Sequence, residues 1–501
     1  MSISDGECPT RIPFGERISD LARMDSDGVA ITYEPANGPV EVLTWGELDA
    51  RSNAVARLLE SAGVDSRSRV AVMLTNCPMH YVVTIATWKL GAMVLPVKAS
   101  LPPRERDQLL RLLEPAVVVS HDTASGAGFR QVTDLELANA ADRFPRDPMP
   151  TRVAHPGKAI ASGGSTGRPK IIVDPRPWMF QVGSSMGGGV VTLVDGDTQL
   201  VAGALFHNSP FTWSFMGLFE HQHIVLMDRF DAKRAVELID RHQVNFLFLA
   251  PTMMQRIVRL PDLQAHKVSS IRTLFHTAAP CPPWLKRAWI DLIGADRVVE
   301  RFGATEAVGN TVITGTEWLD RPGSVGLGEL TDIRILDKEG RQLPAGAIGE
   351  IYMKRHSESK PTYEYLGSEP ARMVDGYTSV GDLGHLDSDG YLYLADRRAD
   401  MINSGGVNIY PAEIEGVLTE YSGVRDAAVV GVPDDDLGQC VHAIVELDPA
   451  APREQLDTAA ILAHCRAQLS SEKIPRSIEF VEQLPRDEAG KLRRSSLIAN
   501  R

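Results

Sequence analysis

Between Ala161 and Pro175 the chain reads ASGGSTGRPKIIVDP, with three glycines, three hydroxyl side chains, an arginine and a lysine in one short stretch. Glycine lets backbone N–H groups come close to an anion, hydroxyls donate hydrogen bonds, and Lys170 adds a mobile positive charge. Together these are the parts of a phosphate cradle. A glycine-rich run on its own is more often a flexible surface loop, so the rest of the chain has to decide. The nucleotide loop of the common phosphate-binding ATPases ends in Gly-Lys-Ser/Thr and opens into a helix. Here Gly167-Arg168-Pro169-Lys170 runs into IIVD, which has the character of a strand. Pro169 has no N–H and disfavours helix at Arg168, so the spacing predicts a loop joining two strands.

Alternating elements surround this loop. LTWGELDARSNAVARLLESAG carries apolar residues at helical spacing and ends on glycine; SRVAVML follows as a short buried strand. CPMHYVVTIATWKLGA then reads as helix, MVLPV as strand, and PPRERDQLLRLLEPAVVVSHD as helix and strand again. AKRAVELIDRHQVNFLFLAPTMMQRIVR repeats the theme in the middle of the chain. Strands alternating with helices of this length predict a parallel sheet covered on both faces. From about Gly323 the pattern changes to short strands and turns, and the last hundred or so residues form a compact unit of their own. The expected fold is therefore α/β. A large N-terminal domain of layered sheets flanked by helices, with a β-rich section, spans 1–397, and a small α+β C-terminal domain spans 398–501.

At 501 residues the chain exceeds one ordinary core, and 43% hydrophobic with 23% charged residues is a soluble globular balance. A net charge of −13 argues against nucleic-acid binding. The five cysteines are scattered without paired spacing, which excludes a disulfide framework or zinc site and predicts a reducing, cytoplasmic setting. The polar start lacks the apolar core of a signal peptide, and no run reaches the ~20 apolar residues of a membrane span.

SGGSTGRPK resembles the phosphate-binding loop of the adenylate-forming (ANL) superfamily: acyl- and aryl-CoA synthetases, adenylation domains of peptide synthetases, and luciferases. Gly163 stands where that family often has serine, and Ile171 replaces a usual glycine. HTAAP (276–280), RFGATE (301–306), YTSVGDLGHLDSDGYLYLADRRADMINSGGVNIYPAEIE (377–415) and PRDEAGKLRRSSL (485–497) match further family motifs in order. The resemblance spans nearly the whole chain.

It implies an enzyme that joins a carboxylate to the α-phosphate of ATP, releases pyrophosphate, and passes the acyl group to a thiol. Ser162, Gly163, Gly164, Ser165, Thr166, Gly167 and Lys170 would hold the β- and γ-phosphates. Ala279 and Pro280 would lie against adenine, with Phe302 stacked on it where the family often has tyrosine. Asp382 would accept hydrogen bonds from the ribose hydroxyls, with Arg397 nearby. Thr305 would contact the α-phosphate, and Glu306 would carry Mg2+. Lys491 would bridge the carboxylate and the α-phosphate during adenylation. Ala399 falls at the hinge, where the family has Asp or Lys. Gly405 and Gly406 would line a thiol tunnel, and Lys473 and Arg476 would meet CoA phosphates.

For the acid, Phe206-His207 resembles the acyl- and aryl-CoA branch; amino-acid-activating relatives carry Phe-Asp there, so an amino-acid substrate is not expected. His207 either walls the acyl pocket or is a satisfied core histidine. Phe206, Trp213 and their bulky neighbours, with Gly303, either line that pocket, which would imply an apolar acid, or simply pack. The loop variant resembles synthetases of large alicyclic acids such as bile acids or diterpenoid acids. Free CoA is the favoured acceptor; a carrier protein, or luciferase-like oxidation of the adenylate, are the alternatives. The expected partners are thus a carboxylic acid and CoA, with no nucleic acid and no membrane, and a homodimer is allowed.

Overall fold

The computed structural model describes residues 11–121, 128–163, 169–181, 190–356, 362–397, 400–405, 407–434, 436–449, 451, 457–486, 492, 494 and 497, with backbone only at Gly163, Asp396 and Arg397. Local signals set the elements where the sequence predicts them. Thr44 accepts the Glu47 N–H while Glu47 returns to the Thr44 N–H, a reciprocal cap that starts the helix Trp45–Ser61. Gly63, at φ +97°, turns the chain just past its end. The helix Pro78–Lys89 and the strand Met93–Pro96 are almost wholly buried, as their unbroken apolar pattern requires.

Two large sheets carry the main unit. In one, the parallel strands Arg69–Met73, Met93–Pro96, Val117–Ser120 and Gln131–Thr133 are joined by Lys158–Gly163, which runs parallel to Met93–Pro96. Lys158–Gly163 then pairs antiparallel with Pro169–Asp174, so the glycine-rich loop joins two strands as its proline predicts. A late strand, Glu364–Leu366, adds to the outer side of Pro169–Asp174.

The second sheet is half parallel and half antiparallel. Thr198–Val201, His223–Met227, Phe246–Leu249, Thr273–His276 and Val298–Gly303 run parallel. At Val298–Gly303 the pairing reverses, and Asn310–Thr314, Ser324–Gly328, Leu392–Arg397, Tyr377–Leu386, Gly349–Arg355 and Thr331–Leu336 continue it as antiparallel strands. This is the β-rich section. The turn 304–309 thus lies where the sheet changes character, the kind of place where open α/β sheets leave a crevice. Helices between the two sheets bury a core that includes a cluster of Phe14, Trp88, Trp178 and Phe219.

The smaller C-terminal unit is α+β. Strands Val424–Asp434, Gly438–Leu447 and Ser477–Val481 carry the helices Pro411–Glu420 and Thr458–Gln468 over their own apolar core. Arg259 of the large unit lies over the Trp284 ring at 5.1 Å and donates to the carbonyls of Thr419 and Arg425. Among the described residues, no helix is long and apolar enough to cross a membrane.

Candidate active site

Lys170 and Glu306 are 136 residues apart in sequence, yet the Lys170 Nζ lies 3.2 Å from Glu306 Oε1. Lys170 stands at the exit of the glycine-rich loop, opposite Ser162 in the hairpin register, and Glu306 in the 304–309 turn, so the strand ending at the phosphate loop meets the one ending at RFGATE. Both side chains keep partial exposure, 22% and 15%, so the pair is open to solvent on one side.

A third group, Tyr365, completes the cluster, and the sequence reading missed it. Its hydroxyl donates to Glu306 Oε1 at 2.5 Å and accepts from Lys170 at 3.1 Å, with the Lys170 ammonium 4.3 Å from its ring centroid. Tyr365 lies opposite Ile172, and Lys170 is its diagonal neighbour on the same face. Burial, with the Glu306 carboxylate beside it, pushes the phenol far up, so it remains a donor. The only advance signal was a tyrosine in the run PTYEYLG, which nothing in the sequence links to Lys170.

Two expected site turns carry left-handed alanines. Ala307, directly after Glu306, has φ +53°, and Ala278 in HTAAP has φ +80°. Both are conformations that L-residues adopt at a cost. Replacing Ala278 with glycine is expected to stabilise the chain by about 0.5–1 kcal/mol, the relief of strain partly offset by the freer unfolded chain. Denaturant unfolding of the variant beside the parent measures this, and a loss of stability would contradict it.

The remaining expected residues fall as follows. Asp382, in the middle of Tyr377–Leu386, is the direct cross-strand partner of Arg397 at the end of Leu392–Arg397, which brings together the two residues expected to meet the ribose. Phe302 is half-buried against the apolar core of the β-rich section, while Gly303 ends its strand exposed. Thr305 is half-buried in the same turn as Glu306, and Ala279 and Pro280 follow Ala278 in their own turn.

His207 is the residue before the helix Asn208–Phe219, its ring 4.2 Å from that of Phe206. Trp213, on that helix, is buried against Phe275 and Phe246 in an aromatic group with Val191, Leu193, Phe248 and Val299. A second residue absent from the sequence reading, Lys158, begins the phosphate-loop strand and donates to Asn208 Oδ1 at 2.7 Å and Thr212 Oγ1 at 2.9 Å. It ties that strand to the His207 helix, and burial pushes its ammonium down to about 8.

On the small unit, Gly405 turns at φ +58° within the hairpin formed by Ile402–Ser404 and Val407–Ile409. Lys473 pairs with Glu413 at 2.7 Å, and Arg476 with Asp434 at 2.8 Å. Gly164, Ser165, Thr166, Gly167, Ala399, Gly406 and Lys491 lie outside the described residues, as does the side chain of Arg397.

The AMP-binding enzyme family matches residues 19–360, and its C-terminal domain matches residues 413–491. The chain belongs to the AMP-binding enzymes. A feruloyl-CoA synthase of Amycolatopsis sp is 32% identical over 486 residues, covering 94% of this chain and 95% of that protein. The fatty acid–[acyl-carrier-protein] ligase ScoC of Streptomyces coeruleorubidus is 28% identical, with 93% of each covered. Among solved structures, ATP-bound MatB from Rhodopseudomonas palustris matches with a TM-score of 0.79 at 26% identity, over 98% of this chain and 99% of that one. This AMP-binding enzyme is an AMP-forming ligase of the acid–thiol class, with the two-unit α/β architecture expected of it.

Proposed function

We propose that the chain converts an apolar carboxylic acid and ATP to an acyl adenylate and pyrophosphate, then transfers the acyl group to CoA. The observation that carries this reading is the Lys170–Glu306 contact, which joins the strand leaving the glycine-rich loop to the RFGATE turn, with Asp382 and Arg397 paired on neighbouring strands of the sheet that carries that turn. Adenylation brings two anions together, so the site needs fixed positive charge and donors aimed at phosphate oxygens. Lys170 and the loop residues Ser162 to Gly167 supply these, and Thr305 adds a hydroxyl donor for the α-phosphate.

Among the described residues no group of three or more carboxylates, histidines or cysteines could enclose a metal. One partly exposed carboxylate suits Mg2+, which keeps waters and phosphate oxygens as its other ligands. When bound by Glu306, it would neutralise charge on the phosphates. Lys491, carried on a C-terminal domain that begins near 398 and turns about Ala399, would then face the forming carboxylate–phosphate bond.

The acid is argued from Phe206 and His207 at the start of their helix and the closed aromatic group around Trp213 behind them. Several relatives are named as CoA ligases of aryl acids, among them feruloyl-CoA synthase and 2-succinylbenzoate–CoA ligase, which supports an apolar acid and free CoA. Gly405, Gly406, Lys473 and Arg476 are the residues of this chain assigned to CoA. The relative named as a carrier-protein ligase keeps a second acceptor in view. Cys77, Cys281, Cys440 and Cys465 are free thiols, in keeping with a cytoplasmic enzyme.

Incubation with ATP, Mg2+ and a panel of aryl, alicyclic and fatty acids is expected to yield AMP and pyrophosphate. Mass spectrometry with CoA or a carrier protein supplied in parallel identifies the acceptor. Release of ADP and phosphate instead would overturn the reading, because that pair needs attack at a different phosphorus.

A further inference from the structure

Glu306 is gripped at two points by one distant segment. Thr362 donates from Oγ1 to the Glu306 carbonyl at 2.7 Å, and three residues later Tyr365 donates to its carboxylate. Thr362 is 8% exposed, and Tyr365 is fixed by its place in the strand Glu364–Leu366. Both protein donors to the carboxylate, Tyr365 and Lys170, fall on Oε1; among the described residues none falls on Oε2.

We propose that Tyr365 is the positioning residue for Glu306, holding one carboxylate oxygen so that the other stays aimed at the nucleotide's divalent cation when Lys170 turns to the phosphates. The inference rests on the proposed role of Glu306 in carrying that cation. Lys170 cannot serve both partners fully: a compact ammonium drawn toward nucleotide phosphates weakens its hold on Glu306. A protonated phenol has no such competing attraction. Being neutral, it also adds no positive charge that would repel a cation.

Without the hydroxyl, Glu306 has Lys170 as its one remaining side-chain partner among the described residues. The carboxylate then follows the lysine, and cation recruitment falls. A hydrogen bond to a charged group accounts for about a ten- to hundredfold effect in such an equilibrium. The ring itself, and its stacking under Lys170, are unaffected by Tyr365→Phe.

The test uses the full chain with Mn2+ as the probe, titrated in the presence of ATP and followed by electron paramagnetic resonance. ATP binding without any divalent cation is measured by calorimetry in parallel. Tyr365→Phe is expected to weaken Mn2+ uptake about ten- to hundredfold while changing cation-free ATP affinity by less than about twofold. Glu306→Gln is expected to abolish the ATP-dependent Mn2+ signal. If Glu306→Gln abolishes it and Tyr365→Phe leaves it at the parental level, the positioning role is wrong and the cation site stands. If Glu306→Gln itself leaves Mn2+ uptake intact, the cation reading fails with it. An equal loss of cation-free ATP affinity in Tyr365→Phe would make the tyrosine a packing residue only, and would also overturn the proposal.

Discussion

Lys491→Ala is expected to slow acid-dependent pyrophosphate release by about a hundred- to a thousandfold, the usual cost of removing one group that stabilises developing charge. Thioester formation from chemically supplied acyl-AMP should stay near the parental rate, because in the proposed mechanism the small domain has by that step carried the lysine away. Lys491 itself lies outside the described residues, but Arg486 and Arg494 of the same motif are described and ion-paired. Arg486 is ion-paired with Asp426 at 2.5 Å, and Arg494 reaches Glu415 at 2.7 Å and Asp400 at 2.8 Å. Arg486 and Arg494 are thereby held to the small unit. A solvated lysine with no catalytic role would cost under about 0.5 kcal/mol and no activity. Separate assays of the two half-reactions discriminate: loss of both steps, or of neither, contradicts the two-orientation mechanism.

The largest expected effect on stability lies beneath the site. Lys286, on the helix Pro283–Ile293, is paired with Glu300 on the strand that leads into RFGATE, and both are buried. His276, the last residue of the strand leading into HTAAP, lies beside them and is wholly buried. Burial and the Lys286 charge hold its imidazole well below its ordinary range, so it stays neutral. The pair thus sits under the strands that lead into the HTAAP and RFGATE turns. Lys286→Met strands the Glu300 charge in the interior, and breaking such a pair from one side typically costs about 3–5 kcal/mol. Lys286→Met with Glu300→Leu should recover much of that loss, since an apolar pair of similar volume is often neutral. Urea unfolding of the three proteins is the check. Single and double variants of equal stability would mean that the pair is not coupled. If the double variant also keeps ATP affinity, the pair supports the fold alone; a weakened affinity would tie it to the placing of the turns.

Much of this was legible in the chain. Periodic apolar runs made the helices and buried strands local facts, so Trp45–Ser61, Pro78–Lys89 and Arg69–Met73 form where their patterns require. Pro169, without an N–H and hostile to helix before it, determined that the glycine-rich loop joins two strands rather than opening a helix. Ordered short motifs likewise pointed to Glu306, Asp382 and Lys170, because their chemistry is carried by residue type and near neighbours.

Only the tertiary structure decided what these residues meet. Tyr365 reaches Lys170 across 195 residues because the chain leaves the β-rich section and adds an edge strand to the other sheet. No period or spacing encodes that return, since an edge strand is chosen by the backbone groups left open beside it. The same holds for Lys158, whose partners Asn208 and Thr212 lie on a helix 50 residues on, and for Trp213, whose bulky ring could equally have faced a ligand. Its burial against Phe246 and Phe275 follows from which strands stand under the helix. Residue type settles what a side chain can do, and long-range packing settles to what it does it.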